Sequence, residues 1–337
     1  MPKERFMSQI NMKKVCFVIA FVFISTEVLQ LYAAPRTTQF TPSRNTNEIK
    51  VMTFNIRVDT VIDGWHRWKQ RKYLVTDTIR SNAADIIGLQ EAEQKQLRLI
   101  QKALPQYNQY AIGRDNGRTK GETCAIFYRK DRFILLDSDT FWFSNTPSLP
   151  GSKDWGNLWP RICSWVRLVD RTTGDAFYVY NVHLDNLSQN SRELSTRLLA
   201  GRIATRKTKD PFVVLGDFNM ELSNPAMRYL QNYAMQTPYP RMIDAWSSVH
   251  FHEPEIGTRH GFRGRTSGPM IDHIPLCENT IPLEVKIDRR NYDGKYPSDH
   301  FPVIAKIVFK NTNQFTYKNP EPKTTEPVIV KATKPGA

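Results

Sequence analysis

Six short stretches of the sequence share one feature: an apolar run ends in side chains able to hold a cation or a phosphate. TFNIR offers Asn55 and Arg57, GLQEA offers Glu91, and NVHLDN offers His183 and Asp185. LGDFN offers Asp217 and Asn219, MIDHI offers Asp272 and His273, and PSDHFP offers Asp299 and His300. Residues two apart in a strand share a face. His183 can therefore point with Asp185, and Asp217 with Asn219, while Phe218 faces the other way and anchors the turn in the core. Carboxylate oxygens are the hard ligands that Mg²⁺ takes. An imidazole fixed by a carboxylate is a charged donor to phosphoryl oxygens. The chemistry these residue types suit is the binding of a metal ion or a phosphate.

Each stretch alone has a plainer explanation. A glutamate after a strand often sits at a helix start, where the dipole favours it. GDFN can be a turn whose Asp caps a helix, and SDH can be an Asx-turn. A histidine in a strand is often a satisfied structural one. His273 should point away from its strand neighbour Asp272 and reads as structural. The ordered set is more specific than any member.

Positioning these residues requires a large mixed fold. IKVMTFNI (49–56) reads as a strand, and 67–82 has helical spacing with Tyr73, Leu74 and Ile79 on one face. DIIGLQE (85–91) is a short, nearly all-apolar strand of the doubly covered kind, and 94–104 is a helix stopped by Pro105. A β-rich block follows, with TTG (172–174) as a hairpin turn. Ser191 to Lys207 is a basic helix, PFVVLGD a strand, and Asn224 before Pro225 opens a further helix. MIDHIPL, PLEVKID and PVIAKIVF (302–309) finish the core. Strand-rich blocks alternating with helices fit two packed sheets with helices outside.

The bulk numbers agree. With 337 residues, 40% of them hydrophobic, the chain can bury a substantial core. Lys13 and Lys14, the run Val15–Ile24 and the small residues of 31-LYAAP-35 form a secretory signal pattern over 1–34. The chain is then expected in the periplasm or outside the cell, or membrane-anchored if the segment stays attached. Residues 35–47 read as a linker, and 310–337 as a Pro-, Thr- and Lys-rich tail. The net charge of +14 favours anionic or phosphorylated partners such as nucleic acid or phospholipid, or serves solubility alone. Beyond the leader, Cys124, Cys163 and Cys277 allow at most one bridge, Cys124 with Cys163, or three buried thiols.

In this order TFNIR, GLQEA, NVHLDN, LGDFN, IDHI and YPSDHFPV resemble the endonuclease/exonuclease/phosphatase superfamily, which includes DNase I, apurinic endonucleases, inositol polyphosphate 5-phosphatases, neutral sphingomyelinases and deadenylase domains. The resemblance covers 48–309, and the segments between the motifs resemble a secreted bacterial branch. It implies a four-layer α/β/β/α sandwich of two packed mixed sheets flanked by helices, with the site at the strand ends and one or two Mg²⁺ or Mn²⁺ ions. Residue by residue it implies Glu91 as the main metal ligand with Asn55 and Asp299 nearby. Asp217 would orient or deprotonate the attacking water, and Asn219 would orient substrate. His300, held by Asp272, would contact the scissile phosphate, and His183 would be a second donor to it. Met270 and His273 stand where the family often has Arg and Tyr, and Val182 and Asn186 depart from its NTHLDH.

Asp185 is expected at the substrate beside His183, and Arg57, Arg114 and Arg161 can grip a phosphate or form surface ion pairs. Trp65, Trp68, Trp155 and Trp159 can stack on a base or sugar, or pack in the core. Arg192, Arg197, Arg202, Arg206 and Lys207 can form a nucleic-acid face or a solvated helix surface. The reading is a secreted Mg²⁺-dependent phosphoesterase, nuclease-like or sphingomyelinase-like, acting as a monomer with no obligate protein partner. The alternatives are a phosphatase on a small inositol or sugar phosphate, and a non-catalytic binding module on the same fold. A lectin-like or structural sandwich is a third reading of another class.

Overall fold

A computed structural model of the chain describes residues 47–231, 239–250 and 257–310. The leader and nearly all of the linker and tail lie outside these residues. Two sheets face each other. The first holds β1 (Ile49–Asn55), β2 (Ile86–Ala92), β3 (Tyr107–Tyr110), β4 (Thr123–Arg129), β12 (Thr280–Ile287) and β13 (Val303–Phe309), in the order β12-β13-β1-β2-β4-β3. The second holds β5 (Phe133–Trp142), β6 (Ile162–Asp170), β7 (Ala176–His183), β8 (Phe212–Asp217), β9 (Met242–Asp244), β10 (Asp272–His273) and β11 (Pro275–Cys277). Its order is β5-β6-β7-β8-β11-β9, with β10 also on β8. Each sheet has one parallel pair at its centre, β1 with β2 and β7 with β8.

The helices cover the outer faces. α1 (Trp68–Asn82) and α2 (Gln94–Ala103) pack with Met52, Phe54, Ile87 and Leu89 of the first sheet. α3 (Gln189–Ala204) and α4 (Pro225–Gln231) pack on Tyr180, Val182, Phe212 and Val214 of the second. α5 (Ala245–Val249) follows β9. Between the sheets lie Val51, Ile86, Ile126, Val179, Val213 and Leu215. The layers are those of an α/β/β/α sandwich. Burial on both faces explains why the central strands are nearly continuous apolar runs.

Alternation along these strands places the site. The inward positions of β8 are Val213, Leu215 and then Asp217, and those of β7 are Val179, Asn181 and then His183. Phe218 takes the opposite phase and is sealed in the outer cluster. The sheets also touch through polar groups. Asn181 Nδ2 donates to the carbonyls of Leu89 (3.0 Å) and Ala125 (2.9 Å), and its Oδ1 accepts from Gln90 Nε2 at 2.6 Å. Gly88 is required there, because a Cβ would lie 3.0 Å from Asn181 and Leu215.

Two local expectations change. Tyr73 is not on the buried face of α1: it is exposed under Lys72, while Trp68, Arg71, Val75 and Ile79 face inward. MIDHIPL breaks into β10 and β11 rather than one strand. Cys124, Cys163 and Cys277 are free and buried. Asn181→Ala removes one acceptor of the Gln90 amide, which keeps Thr53 Oγ1 at 3.0 Å, and the donor to two buried carbonyls, and should lower stability by about 2–4 kcal/mol. A denaturant midpoint unchanged from wild type would contradict this account of the sheet contact.

Candidate active site

Both parallel pairs end at the same rim. Asn55 closes β1, Glu91 lies near the end of β2, and His183 and Asp217 end β7 and β8 opposite each other in register. Alternation alone would send Glu91 outward with Ile87 and Leu89. It does not go there, because its backbone is left-handed (φ +61°) and the β2–β4 register slips between Leu89 and Ala92. A bulge of this kind re-aims a side chain. Arg57 (φ +60°) and Asn219 (φ +53°) share this backbone region, a strain that concentrates at functional sites.

Asn55, an expected metal ligand, has another position. It is fully buried, and its Nδ2 donates to both Glu91 Oε1 (3.0 Å) and Asp217 Oδ2 (2.9 Å) while Oδ1 accepts from the Arg57 amide. One carboxamide thus ties carboxylates of the two sheets together. Glu91 Oε2 also accepts from the Val58 amide at 3.0 Å. Burial alone would raise the Glu91 carboxyl; the bonds from Asn55 and Val58, with Arg57 and His300 nearby, outweigh it and hold it low. Asp217 is raised to about 7 by burial and by Asp272.

His300 and Asp272 form a buried pair, Nδ1 donating to Oδ2 at 2.9 Å, with His300 Nε2 3.9 Å from Asp217. Burial opposes the charge on His300, but Asp272, Asp299 and Asp217 outweigh it and raise the imidazole to about 10. It is a cation at neutral pH. His183 is the opposite case. Burial, Arg161 and Arg114 hold it well below its usual value. Its Nε2 accepts from Arg161 Nη1 at 3.1 Å, so Arg161, rather than His183, is the donor on that wall. His273 is buried and bonds the Met220 carbonyl at 3.0 Å, on the outer face with Phe218.

The remaining charged residues divide clearly. Arg57, Arg114 and Arg161 all line a cleft of ≈ 750 Å³ with Asp217, Asp299 and His300. Asp185 does not line it: its Oδ1 accepts from the Leu187 and Ser188 amides and Oδ2 from Arg161 Nε. The expected substrate contact is therefore corrected to an anchor for Arg161. Arg57 is paired in two places with Asp63, and Arg114 with Glu122 at 2.8 Å. The α3 arginines stay off the cleft, Arg197 and Arg202 lying over Tyr229 and Phe141. Trp68 is buried, Trp155 is bonded to Asn145, Trp65 is exposed, and Trp159 alone of these four lines the cleft.

Sequence reasoning overlooked Glu122, Arg71 and Arg259. Glu122 precedes β4, which runs antiparallel to β2, so the start of that strand meets the rim. The signal was a lone charge at a strand start rather than a strand end. Arg71 is buried on α1 and donates to five carbonyls, those of Ile56, Arg57, Val58, His66 and Pro297. It ties the loop after β1 to the loop holding Asp299. Burial lowers its guanidinium to about 10, against the pull of Asp299, Asp63 and Glu91. Arg259, bridged to His300 through the backbone, also lines the cleft.

The sequence profile of the endonuclease/exonuclease/phosphatase family matches residues 52–300, the span that contains every rim residue above. The chain belongs to that family. It is 31% identical to the CCR4-Not complex 3'-5'-exoribonuclease subunit Ccr4 of Aspergillus clavatus over 85% of its own length, but spans only 56% of that protein. A family structure from Bacteroides vulgatus matches with TM-score 0.71 and 30% identity, covering 78% of this chain and 99% of that one. A structure described as a mannosyl-6-phosphatase of Bacteroides thetaiotaomicron matches with TM-score 0.70 and 29% identity, covering 77% and 100%. The chain thus shares a family with phosphoester hydrolases, whose members generally depend on a divalent metal.

The donor set fits such an ion. Ligand atoms of Asp217, Asp272 and His300 lie within 4.8 Å of one another. Asp272 and His300 already share a proton, which a cation between them would have to displace. Glu91 and Asp299 are on the cleft and both close to Arg57; each bonded oxygen accepts one hydrogen bond and keeps a second lone pair, and such oxygens suit a hard cation. Asp272→Asn should lower kcat by about 10²–10⁴-fold with little change in KM. His300 binds its proton more tightly folded than unfolded, so its stabilisation is complete below about pH 6.5 and fades as pH rises through about 10. Denaturant unfolding across that window should show a steeper loss for wild type than for Asp272→Asn, and equal slopes would refute the ion pair.

Proposed function

We propose that the protein is a Mg²⁺- or Mn²⁺-dependent phosphatase acting on a small phosphorylated polyol such as a sugar phosphate. The bounded cleft carries the reading. Its volume of ≈ 750 Å³ suits a small molecule, and the carboxylates of Glu122 and Glu221 on its walls disfavour a polyanionic strand. The match to a mannosyl-6-phosphatase structure, over 77% of this chain and 100% of that one, points the same way. Glu91 and Asp299 would hold the ion, which when bound supplies neutralisation of phosphate charge. Asp217 takes the proton of the attacking water, and its raised carboxyl is matched to neutral pH. Protonated His300 and the fixed guanidinium of Arg161 donate to the phosphoryl oxygens. Asn219, held by the Leu184 carbonyl at 3.0 Å, orients the ester from the cleft floor. Water oxygen joins phosphorus as the ester P–O bond breaks; the water's proton goes to Asp217 and on to solvent, and the leaving alkoxide takes one proton from solvent.

The charge of +14 and the likeness to an exoribonuclease favour a second reading, hydrolysis of a phosphodiester in nucleic acid. The basic start and apolar run of 1–34 support action outside the cytoplasm. A substrate panel of hexose phosphates, RNA, DNA, sphingomyelin and bis(p-nitrophenyl) phosphate separates the two. Phosphate release from a hexose phosphate should exceed diester cleavage by at least about tenfold in kcat/KM. It should vanish in EDTA and return with Mg²⁺ or Mn²⁺. RNA or DNA as the best substrate would replace this reading with the second.

A further inference from the structure

Glu122 is misplaced for a site that only binds phosphate. A carboxylate on the wall of an anion cleft repels the ligand, and Arg114 needs only one of its oxygens. That oxygen, Oε1, is fixed at 2.8 Å by Arg114 Nη2, which sets the orientation of the whole group. The other, Oε2, has no hydrogen-bond partner among the described residues. His183 Nδ1 lies 3.9 Å from it, beyond bonding distance. Nor is Oε2 among the sealed, unpartnered buried atoms, so it opens toward the cleft that Glu122 lines. Behind it, a recess of ≈ 10 Å³ is lined by Thr123, Cys124, Pro160 and Ile162 as well as Arg114, Arg161 and His183. That apolar recess is too small for a phosphate, so a ligand reaches Oε2 from the main cleft. Trp159, 48% exposed, stands on the same cleft as an apolar face.

We propose that Glu122, clamped by Arg114, reads the alcohol portion of the substrate: Oε2 accepts a hydrogen bond from a free hydroxyl of the polyol, with the ring against Trp159. The site then selects phosphates of polyhydroxy alcohols over phosphates of simple alcohols or phenols. Burial raises the Glu122 carboxyl to about 7, which moderates its repulsion of the phosphate without removing its acceptor oxygen. This inference rests on the phosphatase reading and adds the wall that recognises the leaving group. A hydroxyl acceptor left unpaired in a buried site is costly, which is why such contacts discriminate strongly.

The test couples the side chain to the hydroxyl. Wild type, Glu122→Gln and Glu122→Ala are assayed on a hexose phosphate, its monodeoxy analogues and p-nitrophenyl phosphate. In wild type one deoxy analogue should lose about tenfold or more in kcat/KM, and in Glu122→Ala that penalty should disappear. Glu122→Gln, which keeps an acceptor oxygen, should retain part of it. The ratio of hexose phosphate to p-nitrophenyl phosphate activity should fall with each variant, whatever happens to the absolute rates. Equal losses on both substrates would make Glu122 a structural or metal-holding group and overturn the inference. An undiminished deoxy penalty in Glu122→Ala would overturn it too. A wild type that acts on p-nitrophenyl phosphate but on no sugar phosphate removes the polyol reading, whereas one that releases phosphate from neither ester removes the phosphatase reading itself.

Discussion

One carboxamide, Asn55, decides where the two halves of the molecule meet chemically. Its two N–H bonds go to Glu91 on one sheet and Asp217 on the other, so two anionic side chains approach without a charge between them. The Asn55 carbonyls, backbone and side chain, are held in turn by Ser298 Oγ and the Arg57 amide. The loop after β1, the strand-end glutamate and the loop holding Asp299 are therefore referenced to a single planar group. Stacking two sheets by apolar contact alone would leave their relative slide soft. The bonds among Asn181, Gln90 and Leu89 below, and among Asn55, Glu91 and Asp217 above, fix it at two heights.

That frame separates two kinds of charge. On one wall, His300 is held cationic by Asp272, so a permanent donor faces the cleft. On the other, burial first and then Arg161 and Arg114 keep His183 neutral, and the guanidinium takes over as donor. The two imidazoles look alike in the sequence. Their partners, a carboxylate in one case and a guanidinium in the other, give them opposite character.

Much of this was legible. Strands 49–56 and 85–91 and helices 67–82 and 94–104 differ from β1, β2, α1 and α2 by only a residue or two, because apolar runs doubly covered by neighbours and helices with clear stops leave strong patterns. The period-two phase of LGDFN correctly sent Asp217 and Phe218 to opposite sides. What stayed hidden depends on saturation and direction. Asp185 and Asn55 have the right chemistry for binding, but their atoms are taken by the backbone turn that follows each of them and by side chains distant in sequence. Glu122 was missed because attention went to strand ends, and in an antiparallel neighbour the start reaches the same rim. Arg71 sits at a buried helical phase, where a charged residue reads as an interruption of the stripe. Only the five carbonyls converging from two loops give it a reason to be there.

Arg71 has a further consequence. Its charge lies beneath the floor and within the influence of Asp299, Asp63 and Glu91, yet it bonds no carboxylate directly. It is a fixed counterion, supplied by the polypeptide itself and independent of solution composition. The gathered acids thus sit in a positive field that belongs to the fold itself, and the two loops that carry Arg57 and Asp299 are pinned by the same side chain that supplies it.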